Sequence, residues 1–380
     1  MKKNGDRALL ITILALIGIG IIFLSSASAL ESQEKSGNTF YYLNHQIIFG
    51  IIPGIILAWI VFKMKTDLLK KMILPLILIN LFLLGMVFLP GIGSHFGQGA
   101  NRWIVLGPLI FQPSEFLKIS FILYLASWLK NKMPTSSKVK KNYRFSIAGI
   151  LEFDKTFLAF FIILGFISLF LVLQPDVSTL AIIFLVSLIM YFLAEASIWQ
   201  IFSLIATGIA TLFILIKIAP YRMDRLLIFL HPELYPMGKG YQFKQALIAI
   251  GSGGLNGVGL GLSHQRFGFL PATMSDSIFA IFAEEVGFIG AVILIILFLM
   301  FFKQGFKISK NANDKFLQLA GFGITFWITI QAFLNISAMI GIMPLMGIPL
   351  PFISYGGSAI ITELIGVGIL LNISKHSKNI

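Results

Sequence analysis

The sequence predicts an all-α integral membrane protein with ten transmembrane helices, and three observations carry that reading. Of 380 residues, 57% are hydrophobic and only 12% are charged, whereas soluble domains carry about 25% charged residues. Mean hydropathy is +0.91. Apolar windows of roughly 20 residues, the length that spans a bilayer core, recur from end to end. No polar stretch between them is long enough to form a separate soluble domain, so residues 1–380 are expected to form one polytopic membrane domain.

The windows fall near 8–30, 46–62, 72–89, 104–129, 156–173, 179–196, 198–219, 277–302, 316–340 and 358–373. The first follows MKKNGDR and ends at Ala27–Ala29, which resembles a secretory signal. Its apolar run exceeds the ~7–15 residues of a signal core, so it is read as a retained span. An even number of spans puts both termini on one side. The basic residues say which side: 20 of the 29 Lys and Arg lie in the terminal segments and the loops facing the same way. This is the positive-inside pattern, and it predicts cytoplasmic termini. It also absorbs most of the +13 net charge and leaves no case for nucleic-acid binding. With no cysteine there is no disulfide, thiolate metal site or thiol nucleophile, and the five scattered histidines argue against zinc.

Between spans seven and eight lies the anomaly, a predicted extracytoplasmic loop over 220–276. Loops of that length are functional or disordered. The apolar clusters Leu226–Leu230 and Ala246–Ile250 argue for short amphipathic or re-entrant helices instead of disorder. Arg222, Arg225, Lys239, Lys244 and Arg266 run against the charge pattern. Cations outside a membrane fit an anionic lipid-linked ligand bearing phosphate or pyrophosphate. The six glycines of 251–261 do not end in Gly-Lys-Ser/Thr and follow no strand, so P-loop and Rossmann readings both fail.

Carboxylates are scarce, which makes their positions informative. Asp276 closes the long loop at the start of span eight, either as a helix cap or as an interfacial catalyst. Glu284 and Glu285 lie about two turns deeper, and at least one must face the protein interior. Glu115 and Lys118 share a face just after Pro113, either as a structural ion pair or as the lining of a polar cavity. Asp176 follows another Gln-Pro and reads as a cap. Pro344, Pro349, Pro351 and Gly356–Gly357 break the chain before the last span. Irregular backbone at that depth lines a cavity or is buried by protein, so Ser354, Tyr355 and Ser358 become candidate wall residues.

These stretches carry a resemblance. NRWIVLGPLIFQPSEFLK, LQPD, YRMDRL, GKGYQFKQALIAIGSGGLNGVGLG, FLPATMSDSIFAIFAEEVGFIG and GIPLPFISYGGS occur in order over nearly the whole chain. Together they resemble the SEDS family (shape, elongation, division, sporulation), which includes FtsW, RodA and SpoVE. YLASWL, GYQ and SHQRFGFLP look more like the FtsW branch than the RodA branch. The resemblance implies ten-span glycosyltransferases of the bacterial cytoplasmic membrane that polymerise lipid II, the undecaprenyl-pyrophosphate-linked disaccharide pentapeptide, on the outer face. It implies a class B penicillin-binding protein as partner, alongside membrane lipids. Asp276 matches the family's essential aspartate, Glu115 and Lys118 match polar cavity positions, and Ser354–Gly357 match the loop before the last span.

On that reading Asp276 is the general base that deprotonates the acceptor's C4 hydroxyl. The oxygen attacks C1 of the growing chain, inverts the anomeric centre and expels undecaprenyl pyrophosphate. Arg102, Lys118, Arg222, Arg225, Lys239 and Lys244 are candidate clamps for the departing charge. Glu115, Gln245, Ser354 and Tyr355 are further candidate substrate contacts. A divalent cation, Mg²⁺ or Mn²⁺, is compatible with this chemistry and is not readable from the residues. The chain departs from the family where Ala272–Ser275 replace Glu-Ala-His-Thr, which removes a histidine two residues before Asp276. His231 and Tyr235 also stand where FtsW-like chains often have Asp. Two other functions are compatible with the sequence. A lipid II flippase would depend on Glu115, Lys118 and Glu284 more than on Asp276, and a non-catalytic scaffold for a transpeptidase would not need Asp276.

Overall fold

The computed structural model describes residues 4–91, 93–94, 101–106, 109–132, 155–194, 196, 198–232 and 240–376. Apolar runs rich in Ile, Leu and Phe form helices because a helix alone satisfies its backbone without water. The first half of the chain gives α1 (Asn4–Ser36), α2 (Tyr41–Gln46), α3 (Ile52–Lys63), α4 (Thr66–Met86), α5 (Pro113–Lys132) and α6 (Lys155–Leu173). The second half gives α7 (Val177–Leu193), α8 (Ile198–Ile218), α9 (Pro220–Leu230), α10 (Tyr241–Ser252), α11 (Ile278–Lys310), α12 (Lys315–Met339) and α13 (Gly357–Lys375). A π-helical turn over Ile47–Ile51 joins α2 to α3. Among the described residues, eight helices are long and apolar enough to cross a membrane, counting α2–α3 as one. Helix α7 has 17 residues, and α5 carries Glu115, Lys118 and Lys130.

The chain is mostly helical, as expected, but the span at 104–129 needs correction. Residues Gly93–Ser94, Trp103–Leu106 and Leu109–Phe111 form strands β1, β2 and β3 of a small antiparallel sheet in that order, with Ile104 opposite Phe111. The helix starts only at Pro113. The ring of Pro113 disfavours helical φ/ψ at Gln112, while Pro itself suits the first helical position. Hydropathy alone cannot separate an apolar hairpin from the top of a helix.

Helices α12 and α13 are the most enclosed, and α3 lies along α13. Glycines allow that approach: a Cβ on Gly368 would lie 2.4 Å from the Ala58 carbonyl oxygen, and one on Gly54 would lie 2.6 Å from Leu364 Cδ1. Small residues at membrane helix interfaces act this way. At one end of the bundle Asp314 caps α12 by accepting from Phe316 N at 2.7 Å, and it pairs with Lys70 of α4 and Lys130 of α5. Partial burial opposes its charged form, but the two lysines hold its carboxyl down to about 2.

Helix α11 is broken at Gly287, where φ is 66° and ψ is −167°. The glycine-rich run after α10 repairs the break. Val258 and Gly259 donate their N–H groups to the Glu284 and Glu285 carbonyls at 3.0 and 3.1 Å, and Phe288 and Ile289 donate back to Gly254 and Leu255 at 2.9 and 3.2 Å. Approach this close requires glycine: a Cβ on Gly257 (φ 82°) would lie 2.2 Å from the Glu285 oxygen. The glutamates are buried here. Glu284 accepts from the Ser263 hydroxyl and from His264 N at 3.0 Å, and Glu285 accepts from Ser26 of α1 at 2.6 Å. Gly257→Ala, which adds left-handed strain and a clash, is expected to cost on the order of 2 kcal/mol or more. Thermal unfolding in detergent checks this, and a variant as stable as wild type would refute the packing account.

Candidate active site

Three chain segments meet at the opposite end of the bundle. Helix α9 begins after extended Ala219 with Pro220 in its first turn, and α10 begins at Gly240. The segment 272–277 is a tight turn in which Ser275 and Ser277 donate to the Ala272 carbonyl at 3.1 and 3.2 Å. The proline-rich segment 341–356 closes the third side. A cavity of about 280 Å³ lies between them, lined among others by Tyr221, Asp224 and Arg225 of α9, Gln242 of α10, Asp276 and Gly347.

Asp276 precedes the α11 cap, Ser277, and its carboxylate caps no helix. It accepts from the Ser275 hydroxyl at 3.1 Å and from Gln242 Nε2 at 3.4 Å. Gln242 also donates to Ser277 Oγ at 3.0 Å. The Asp276 carbonyl accepts from Asn335 Nδ2 at 2.8 Å, and Asn335 reaches Ile348 O at 2.7 Å. One side chain therefore locks the aspartate to the proline-rich wall. Arg225 donates to the Leu345 carbonyl at 3.1 Å. A Cβ on Gly347 would lie 3.8 Å from Asp276 Oδ2 and 3.9 Å from both terminal nitrogens of Arg225. Gly347 thus borders both the Asp276 carboxylate and the Arg225 guanidinium.

Burial pushes the Asp276 carboxyl above its ordinary value, opposed by the hydrogen bonds from Ser275 and Gln242 and by the charge of Arg225. Burial lowers Arg225, Asp276 opposes that, and nearby Arg102 adds to it. The arrangement is a carboxylate that can take a proton, beside a guanidinium that can stabilise negative charge. Toward a divalent cation the cavity offers two carboxylates, Asp224 and Asp276. Among the described residues no group of three or more His, Asp or Glu gathers to hold one.

A family model described as cell cycle protein, FtsW/RodA/SpoVE, matches residues 7–379. The chain belongs to the FtsW/RodA/SpoVE family. Stage V sporulation protein E of Bacillus subtilis is 36% identical over 377 residues, covering 99% of each chain. "Probable peptidoglycan glycosyltransferase FtsW" of Halothiobacillus neapolitanus is 38% identical over 378 residues, covering 98% of this chain and 86% of that protein. These names side with the FtsW-like leaning of the motifs. In fold, the chain is similar to one from a peptidoglycan synthase complex solved for its coordination of polymerization and crosslinking (TM-score 0.72, 24% identity, 97% of this chain and 96% of that one). It is also similar to the rod shape determining protein RodA of Thermus thermophilus (TM-score 0.64, 23% identity, 97% and 95%). The chain is a multi-pass membrane protein.

Of the expected site residues in this SEDS chain, Asp276 and Arg225 line one cavity. Arg102 lies beside it, its guanidinium donating to the Gln174 and Pro175 carbonyls at 3.3 and 2.6 Å. Arg222 is engaged by Tyr221 Oη and the Leu215 carbonyl, both at 2.9 Å. Lys244 is exposed and Gln245 half-buried on α10, and neither lines the cavity. Lys239 lies outside the described residues. Glu115 and Lys118 are correctly paired, at 2.8 Å, but they are buried inside the bundle, where Lys118 also donates to Gln331 at 2.8 Å. They are not cavity lining around Asp276. Ser354 and Tyr355 are not among the residues lining this cavity. Ser354 donates to the Ser275 carbonyl at 2.5 Å, and Tyr355 N donates to the Met274 carbonyl at 2.7 Å. Tyr355 Oη meets His45 Nδ1 at 3.0 Å, and burial raises its phenol well above the ordinary value. Asp176 caps α7 through Thr179 N, as read from its Gln-Pro context.

Sequence reading missed Gln242, Asn335, Asp224 and Gly347. Gln242 was within the GYQ motif, but no spacing rule connects residue 242 to residue 276. A hydrophobic carbodiimide labels only protonated carboxyls, so its pH dependence reads Asp276 directly. The labelling midpoint is expected above the ordinary carboxylate range. It should rise further in Arg225→Met and in Gln242→Leu, because each removes a group that favours the charged form. A midpoint that stays put in both variants, followed by mass spectrometry, would contradict these electrostatics.

Proposed function

We propose that this chain is a peptidoglycan glycosyltransferase that polymerises lipid II, with Asp276 as its general base. The supporting observation is the pairing of a half-buried carboxylate whose protonated form is favoured with Arg225 across one open cavity. A base is most effective when its pKa approaches the working pH. Asp276 would accept the proton of the acceptor sugar's C4 hydroxyl as that oxygen attacks C1 of the donor chain. The C1–oxygen bond to undecaprenyl pyrophosphate breaks with inversion, and the leaving group carries away the electron pair. Arg225, with Arg102 nearby, would neutralise that charge as a preorganised electrostatic partner of the leaving group.

The reading places all ten helices across a bacterial cytoplasmic membrane, α5 and α7 included, with both termini cytoplasmic. The segment 220–276 then lies outside, where lipid-linked substrate arrives, as part of one polytopic domain. A class B penicillin-binding protein is the proposed partner, in keeping with the synthase complex whose chain this one resembles in fold. A flippase would need polar side chains free along the bundle axis. Here Lys118 is held by Glu115 and Gln331, and Glu284 by Ser263 and His264.

Glycan synthesis from lipid II by the purified protein with its partner tests the assignment. Asp276→Asn keeps size and removes the base, so it should insert in the membrane and bind its partner normally while turnover falls by about 10²–10⁴-fold. Equal polymerisation by both proteins would remove Asp276 from the chemistry. If neither protein polymerised, the flippase and scaffold readings would replace this one.

A further inference from the structure

Glu363, in the last helix, is a buried acid that the proposed chemistry does not use. It is 1% exposed, and carboxylates inside a membrane bundle are expensive enough to require a role. One of its oxygens accepts the Phe352 N–H at 2.8 Å, while the other has no hydrogen-bond partner. Phe352 lies in the proline-rich wall with φ at 65°, the left-handed region that non-glycine residues rarely occupy. Its carbonyl is so close to α1 that a Cβ on Gly20 would lie 2.4 Å from it. The turn is therefore gripped from α1 on one side and from α13 on the other.

Two residues further along, the same turn reaches the site. Ser354 accepts from Leu350 N at 2.8 Å and donates to the Ser275 carbonyl at 2.5 Å. Tyr355 N holds the Met274 carbonyl at 2.7 Å. Both carbonyls belong to the turn that presents Asp276. Resting on the glycosyltransferase reading, we propose that Glu363 is a positioning residue: its carboxylate fixes Phe352 in the left-handed conformation, and the turn thereby sets the orientation of Asp276 across the cavity. The contact works through an acceptor oxygen, so it does not require the negative charge.

Two variants separate acceptor, charge and mere packing. Glu363→Gln keeps an acceptor oxygen in the same shape, and Glu363→Leu removes it while filling the space with an apolar group that a membrane bundle tolerates. Hydrogen exchange of the Phe352 amide, read by mass spectrometry of peptides from 341–356, should show protection in wild type and Glu363→Gln and loss of it in Glu363→Leu. Lipid II polymerisation should follow the same order. In Glu363→Leu the rate at saturating substrate is expected to fall on the order of 10- to 100-fold, as a misplaced catalytic group does, with KM little changed. A parallel fall in thermal stability and in both kinetic constants would indicate a general packing defect and overturn the proposal. So would unchanged Phe352 exchange in Glu363→Leu, or a Glu363→Gln variant as impaired as Glu363→Leu. If wild type made no glycan, the glycosyltransferase reading would fall, and the exchange measurement would still report whether Glu363 holds the turn.

Discussion

A backbone carbonyl released from a helix inside an apolar bundle has no water to turn to, and leaving it unpaired costs several kcal/mol. Much of the site end is arranged around that constraint. Helix α11 breaks at Gly287, and the carbonyls and amides freed there pair with the run Gly254–Gly259. The wall 341–356 has no regular structure, so its carbonyls are taken up by side chains: Asn335 at Ile348, Gln331 at Pro349 and Arg225 at Leu345. The polar residues that look unusual in an apolar sequence are largely the donors and acceptors this irregular backbone needs. A cavity within a membrane bundle requires broken helices, and broken helices require such partners.

The same constraint sorts the carboxylates. Glu284 and Glu285 are buried and occupied by Ser263, His264 and Ser26, so they tie the broken helix to its neighbours. Glu115 is paired with Lys118, and Asp314 and Asp176 cap helices. Asp276 differs because its backbone carbonyl, not its carboxylate, is committed to the scaffold through Asn335. Its carboxylate is held by one hydroxyl and one long amide contact and otherwise faces the cavity. A rigid backbone beneath an open carboxylate is the arrangement that positioning for proton transfer calls for.

Much of this was legible in the sequence, for reasons that also explain the gaps. Runs of some 20 apolar residues mark spans because length and hydropathy are local properties, and most windows became helices. The window at 104–129 misled because the β2–β3 hairpin is as apolar as a helix top, and only Pro113 marked the real start. Asp276 stood out as one of few acids and as part of an ordered set of motifs. Arg225 was visible only as one of several cations, and nothing along the chain told it from Arg222, whose guanidinium is spent on Tyr221 and Leu215. Gln242, Asn335 and Gly347 were invisible because their meaning lies in contacts 34, 59 and more than 60 residues away. For Glu115 and Lys118 the sequence left an ion pair and a cavity lining open, because i,i+3 spacing fixes a shared face but not what that face meets; the structure pairs them at 2.8 Å inside the bundle.

That last distinction bears on how function is divided within the fold. Lys118 bridges Glu115 on its own helix and Gln331 on α12, and Gln331 in turn holds the Pro349 carbonyl and accepts from Trp327 at 2.9 Å. The buried pair therefore reaches the site through the wall, as Glu363 does from α13. Loss of activity on changing any of these residues would say little about substrate contact, because each lies one or two hydrogen bonds behind the surface that substrate meets. Residues in the cavity and residues behind it differ in what they should change. Removing Gln242 alters the electrostatics felt by the Asp276 carboxylate without freeing a wall carbonyl, whereas removing Arg225 alters them and also frees the Leu345 carbonyl. Removing a wall clamp alters where that carboxylate points while leaving its immediate charges unchanged. Proton affinity and geometry are set largely by different residues here, with Arg225 contributing to both, so Gln242 and Glu363 are the positions at which the two can be measured separately.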